Sequence, residues 1–148
     1  MMRPIYEKQE DLMKEEQVFR AFETSHNAVC VRLPQLSVVD RLICTKNNAL
    51  YAVAELKIRT NTHDKYPTYM LSAAKHKAML ELASALKVPA LLLVQFTDIL
   101  MIAKMEDTYE AGKGGRTDRG DALDVEECVY IPMKKFKQVR LGRDNDGT

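Results

Sequence analysis

Two carboxylates and a lysine stand inside stretches of this chain that are otherwise apolar. Asp40 interrupts the run SVVDRLIC, residues 37–44, and Glu55 and Lys57 interrupt ALYAVAELKI, residues 49–58. Both runs read as strands, and Thr45, Lys46, Asn47 and Asn48 between them read as a hairpin turn, because Asn tolerates the positive φ of two-residue turns. With Asn47 and Asn48 as the turn, Lys46 pairs with Ala49, and Asp40 falls opposite Glu55. Carboxylates facing each other across antiparallel strands, with Cβ atoms roughly 4.5–5.5 Å apart, repel. Such a pair needs a cation between them, or one acid keeps its proton. Lys57 shares the face of Glu55, about 6.6 Å further along the strand. Two acids and a lysine on one face suit a divalent cation and an activated water. The plainer reading is an ion pair at a sheet edge. Both faces of both strands carry Val, Leu, Ile or Ala, however, which marks a covered sheet where unpaired charge is costly.

The elements that position this trio are legible by periodicity. Residues 7–24 read as a helix with Leu12, Glu15, Phe19 and Phe22 on one stripe. Glu15 lies within that stripe and Glu16 on its flank, so either acid could face a cationic group. Residues 28–33 read as a first strand ended by Pro34. Residues 60–67 form a polar loop. Residues 68–87 read as a second helix with Leu71, Lys75, Ala78, Leu82 and Ala85 inward, Met79 and Leu86 beside them, and His76 and Lys77 solvated. Lys75 interrupts its stripe as Glu15 interrupts the first; the alternative is that it snorkels to solvent. Val88 and Pro89 end the helix. Residues 90–96 are apolar throughout, as expected of a central strand, and a helix between it and the preceding strand implies a crossover and parallel pairing. Residues 99–104 are a further strand, 109–124 a glycine-containing flexible loop with Lys113, Arg116 and Arg119, and 128–131 a last strand before a basic tail (Lys134, Lys135, Lys137, Arg140, Arg143).

The chain has 148 residues, 46% hydrophobic and 29% charged, with a formal net charge of +1. That is one domain's length and an ordinary globular composition. The near-neutral total does not announce nucleic acid, but the charge is uneven, and local charge is what phosphates feel. No apolar run approaches the roughly 18 to 20 residues that span a bilayer, and the polar N-terminus does not read as a secretory signal, so no membrane partner is expected. Cys30, Cys44 and Cys128 are far apart and in expected strands. They read as reduced residues of a cytoplasmic protein, and a zinc site built from them with His26, His63 and His76 lacks any close ligand pair.

The order helix, three-strand meander, helix, strand, with Asp40 on the second strand and Glu55-Leu56-Lys57 on the third, resembles the PD-(D/E)XK nuclease superfamily over roughly residues 8–96. The residues around NAVCVR, 27–32, and VVD, 38–40, are most similar to compact archaeal-type Holliday junction resolvases and to phage or VRR-type nucleases. Val39 stands where a proline is common, and residues 33–36 lack the small Gly/Ser-rich loop of resolvases. The resemblance implies an α/β, restriction-endonuclease-like core, a mixed central sheet flanked by helices, in one domain spanning 1–148. It implies a DNA endonuclease hydrolysing phosphodiesters with Mg²⁺, Mn²⁺ substituting. Asp40, Glu55 and the Leu56 carbonyl would hold the metal, with Glu15, or alternatively Glu16, through water. Lys57 would orient and deprotonate the attacking water, or stabilise the phosphate, and Lys75 would meet the scissile or an adjacent phosphate. Lys75, Lys77, Arg59 and Lys65 are the expected DNA contacts on branched or double-stranded DNA. A homodimer is implied as well, since a two-fold pairs two sites with two strands. A phage gene would place the protein in the host cytoplasm. Two rivals remain open: a non-catalytic nucleic-acid-binding protein of the same fold, and an interaction protein whose buried charges merely pair.

Overall fold

The computed structural model describes residues 9–34, 38–115 and 125–140. Helix α1 (Gln9–His26) leads through Asn27, at φ 51°, into β1 (Ala28–Arg32), β2 (Arg41–Thr45) and β3 (Leu50–Ile58). β4 (Thr68–Ser72) runs into α2 (Ala73–Leu86). Then follow β5 (Ala90–Gln95), β6 (Leu100–Lys104), β7 (Glu110–Gly115), β8 (Val125–Pro132) and β9 (Lys137–Gln138). The main sheet has the order β1-β2-β3-β5-β6-β9, and a smaller sheet has the order β4-β8-β7.

β3 and β5 pair in parallel, and every other neighbouring pair is antiparallel. The apolar run of residues 90–95 is therefore central, as its composition requires. Alternation along β3 divides the core. Ala52, Ala54 and Leu56 pack with Phe19 and Phe22 of α1, Ile43 and Leu93. Val53 packs on the other face with Leu92, Val94, Met79 of α2 and Ile131 of β8. Glu55, between Ala54 and Leu56, belongs to this second face.

Several expectations are corrected. The hairpin does not close on a two-residue turn: Asn48 donates to the Thr45 carbonyl at 2.9 Å with φ 66°, and the register shifts so that Cys44 faces Leu50. The shift lies near the turn, and at the other end Arg41 faces Ala54, the register derived from the sequence. Asp40 stands just before β2, tied to the ladder by its N–H to the Ala54 carbonyl at 3.0 Å. Residues 68–72 are a strand, since Tyr69 and Leu71 alternate inward against β8. The helix starts at Ala73, which rephases it: His76, Met79 and Ala83 are its buried residues, while Ala85 and Leu86 are exposed. His76 is buried rather than solvated, with Nε2 2.7 Å from the Glu106 carbonyl. Residues 110–115 of the expected loop form β7; residues 116–124, with Arg116 and Arg119, lie outside the described residues. Part of the basic tail is built into the sheet, because β9 pairs with β6 and Val139 is buried. Arg143 lies outside the described residues.

Candidate active site

The site forms where β2 leaves the main sheet. The N–H groups of Val53 and Arg59 point to β5, bonding the carbonyls of Pro89 and Gln95. Alternation therefore turns the amides of Ala54 and Leu56 toward β2. Asp40 meets both: its N–H takes the Ala54 carbonyl, and its Oδ2 accepts the Leu56 N–H at 2.8 Å. The Leu56 carbonyl is directed to the same side.

Glu55 is 4% exposed, an unusual position for a carboxylate. Lys57 Nζ lies 3.5 Å from its Oε2, and Lys75 Nζ lies 3.5 Å from its Oε1. Lys75 also donates to the Val38 carbonyl at 2.7 Å, so it bridges the segment before Asp40 to Glu55. Lys75 does not snorkel away: Ser72 caps α2 by accepting the Lys75 N–H, which starts the helix with this side chain aimed at the sheet. Burial, and then the negative charge of Asp40, push the Glu55 carboxyl above its ordinary value; Lys57 and Lys75 pull it back. The two lysines therefore leave a demand for positive charge beside two carboxylates. Carboxylate and carbonyl oxygens are hard donors, the set that Mg²⁺ prefers, so Asp40, Glu55 and the Leu56 carbonyl fit such an ion.

Glu15 and Glu16 meet a residue that sequence reasoning missed. Arg41, its side chain 4% exposed, places one nitrogen 3.1 Å from Glu15 and another 3.0 Å from Glu16. Its guanidinium lies 4.4 Å from the centre of the Phe19 ring and donates to the Asp40 carbonyl at 3.1 Å. Being adjacent to Asp40, Arg41 projects to the α1 face of the sheet. Glu15 is the more enclosed of the two acids, in keeping with its place in the stripe. Arg41 thus connects both acids to the backbone of Asp40. An acid within the apolar stripe of α1, a second on its flank, and an arginine flanking Asp40 were the available signal.

Of the expected DNA contacts, Arg59 lies over the Tyr69 ring and Lys65 over the Tyr66 ring, while Lys77 is exposed. A separate group, His63, Asp64 and Asp98, brings ligand atoms within 4.8 Å of one another in the loops that follow β3 and β5. Asp98 Oδ2 is 2.5 Å from His63 Nδ1, and these contacts hold its carboxyl below the usual range. This cluster shares no residue with the Asp40–Glu55 site. The three cysteines are free, and burial together with Glu23 pushes the Cys30 thiol up to about 12.

A mixed sheet carrying an acid before its second strand and Glu-x-Lys on its third, with a helix packed on each face, defines a PD-(D/E)XK nuclease. The family model described as "Phage putative PDDEXK endonuclease" matches residues 1–139, and the chain belongs to that family. Among solved structures the chain is similar to Hjc, a Holliday junction resolvase from the archaeal hyperthermophile Archaeoglobus fulgidus. The TM-score is 0.54 at 12% identity, over 81% of this chain and 87% of that one, a likeness of fold. No curated protein matches the sequence. No helix among the described residues is long and apolar enough to cross a membrane.

Proposed function

We propose that the protein is a Mg²⁺-dependent DNA endonuclease that also accepts Mn²⁺, acts on branched or double-stranded DNA in the manner of a junction resolvase, and works as a homodimer. The observation that carries this reading is Glu55, a buried carboxylate beside Asp40 with Lys57 and Lys75 each 3.5 Å away. Two lysines on a buried acid next to a second acid exceed what a structural ion pair needs.

In this reading Asp40, Glu55 and the Leu56 carbonyl hold the ion; Glu15, or alternatively Glu16, both engaged by Arg41 on the α1 face, would reach it through water only by giving up part of that contact. Bound there, Mg²⁺ would supply Lewis acidity and neutralise the charge that builds on the phosphate. Lys57 orients the attacking water and, once it has shed its own proton, takes the water's; as an ammonium it stabilises the phosphate instead. Lys75 holds a phosphate oxygen, giving up part of its contact with Glu55. The Leu56 N–H fixes the Asp40 carboxylate, so one acid is set in place before substrate arrives. Lys77, Arg59 and Lys65 extend the positive surface along the DNA backbone.

The test is incubation with Mn²⁺ or Mg²⁺ and a panel of junctions, flaps, duplexes and single strands, with Lys57→Ala alongside. Cleavage of at least one branched or duplex DNA by wild type, lost in the variant and in EDTA, supports the proposal. Metal-independent cutting, or none with either ion, refutes it. Sedimentation of the protein at micromolar concentration tests the dimer.

A further inference from the structure

The face of β3 that carries Glu55 and Lys57 continues to Arg59, whose N–H keeps the ladder to Gln95. There it borders a cleft of about 400 Å³ between the 59–67 loop and strands β4 and β8. Its lining combines the aromatic Tyr66, Tyr69, Phe96 and Tyr130 with other apolar side chains and the polar Asn61 and His63. Pockets of about 300–1,000 Å³ with apolar and aromatic walls and a few polar groups are the usual shape of a small-ligand site.

The polar groups here are specific. Tyr69 is 5% exposed, and its hydroxyl is buried beside Arg59 without a well-formed hydrogen bond among the described residues. A buried hydroxyl without a well-formed hydrogen bond is costly, and natural structures seldom keep one without a reason. The Arg59 guanidinium lies 5.1 Å from the Tyr69 ring centre. Burial pushes the Tyr69 phenol up to about 12, Arg59 draws it down and the Glu55 charge raises it again, so this hydroxyl lies within electrostatic reach of the catalytic carboxylate. Tyr66, which also lines the cleft, is 56% exposed, with Lys65 Nζ 5.4 Å from its ring centre.

We propose that this cleft receives an unpaired nucleobase from the DNA strand lying against Lys57 and Lys75. The proposal rests on the nuclease reading and narrows its substrate. Aromatic walls stack on any base because every base has a π face, and an arginine adds to such stacking. The Tyr69 hydroxyl, both donor and acceptor and buried at rest, meets a base edge as the entering base displaces the side chains that cover it. A base inside a paired stack cannot enter, so the favoured DNA exposes one: at a branch point, a flap or a gap, or by flipping out of a duplex.

The test measures binding in EDTA, where cleavage does not occur. A fluorescent thymidine oligomer is compared with an oligomer of equal length and charge whose central sugars are abasic. Wild type should bind the base-bearing strand about tenfold more tightly, the scale of a single base–aromatic stack. Tyr66→Ala should bring the two affinities close together by weakening only the base-bearing strand. Tyr69→Phe should lower the ratio severalfold while raising Tm, because it deletes a hydroxyl without a well-formed hydrogen bond and keeps the ring. Equal affinities in wild type, or a ratio that neither variant changes, would overturn the proposal. Equal affinities with Mn²⁺-dependent cleavage intact would remove the cleft and leave the nuclease reading standing. No binding of either strand and no cleavage would remove both.

Discussion

The carboxylate of Asp40 is hydrogen-bonded to the backbone N–H of Leu56, 2.8 Å away, at the residue between Glu55 and Lys57. One acid of the site is thus fastened to the strand that carries the other acid and the lysine. The hairpin register near the site is held by a side chain as well as by the ladder.

Asp40→Asn should therefore keep the fold, since an amide oxygen can still accept from Leu56. It should abolish cleavage yet bind DNA at least as tightly as wild type in low salt, because removing one negative charge lowers repulsion of phosphate. Binding by both proteins should weaken linearly in the logarithm of salt concentration. Anisotropy titrations in Ca²⁺ or EDTA check this. A folded variant that loses binding would show that Asp40 positions something other than a catalytic cation.

Lys57→Ala should lower the single-turnover cleavage rate by roughly 10²- to 10⁴-fold, the range for loss of a positioned proton-transfer group. Folding and DNA affinity should be little changed, because Lys57 is about a third exposed and Lys75 still reaches Glu55. Near wild-type turnover would rule out this role.

Arg41→Met should cost about 3–5 kcal/mol, the usual scale for removing one member of a buried charge set. It removes the guanidinium from the enclosed Glu15, while Glu16, 41% exposed, keeps Arg20 at 2.9 Å, so the cost falls mainly on Glu15. Adding Glu15→Gln should recover part of the loss. Chemical denaturation of the single and double variants measures this, and an unchanged midpoint in Arg41→Met would contradict it.

Glu55 gives a pH signature in metal-free protein. Its carboxyl is raised above 4.5 by burial and by Asp40, so the folded state holds the proton more tightly than the unfolded chain. Stability relative to Glu55→Gln should then fall as pH rises from about 4.5 through the folded-state value, and level off above it. Mg²⁺ at neutral pH should restore part of the difference, because an ion bound only by the folded state stabilises it. Denaturation midpoints from pH 4 to 8 in EDTA decide the matter; a gap that grows in favour of wild type would reverse the sign.

The central part of this molecule was legible because period-two alternation is unforgiving. Once β2 and β3 were read as strands, Asp40, Glu55 and Lys57 had to share a face, and the apolar run at 90–95 had to be central. Asn47 and Asn48 suit a two-residue turn and a longer loop with an irregular register alike, and nothing local distinguishes the two. β4 was missed because Thr68–Ser72 runs into a helix without a break, so five strand residues looked like its first turn. That error shifted the helical phase and hid the burial of His76. β7 was hidden by its glycines. At Gly112 the reason lies in β8: a Cβ there would stand 3.0 Å from the Tyr130 ring, so the small residue serves close packing and not flexibility. The role of Arg41 is not legible in the sequence, because only the packing of α1 on the sheet sets it against Phe19 and Glu15.

Ser72 ends β4, paired with Cys128, and its hydroxyl also caps α2 by accepting the Lys75 N–H. No linker separates the two elements. The smaller sheet and the first turn of α2 are therefore joined directly, and the backbone position from which Lys75 reaches Glu55 is set by β4 and, through it, by β8.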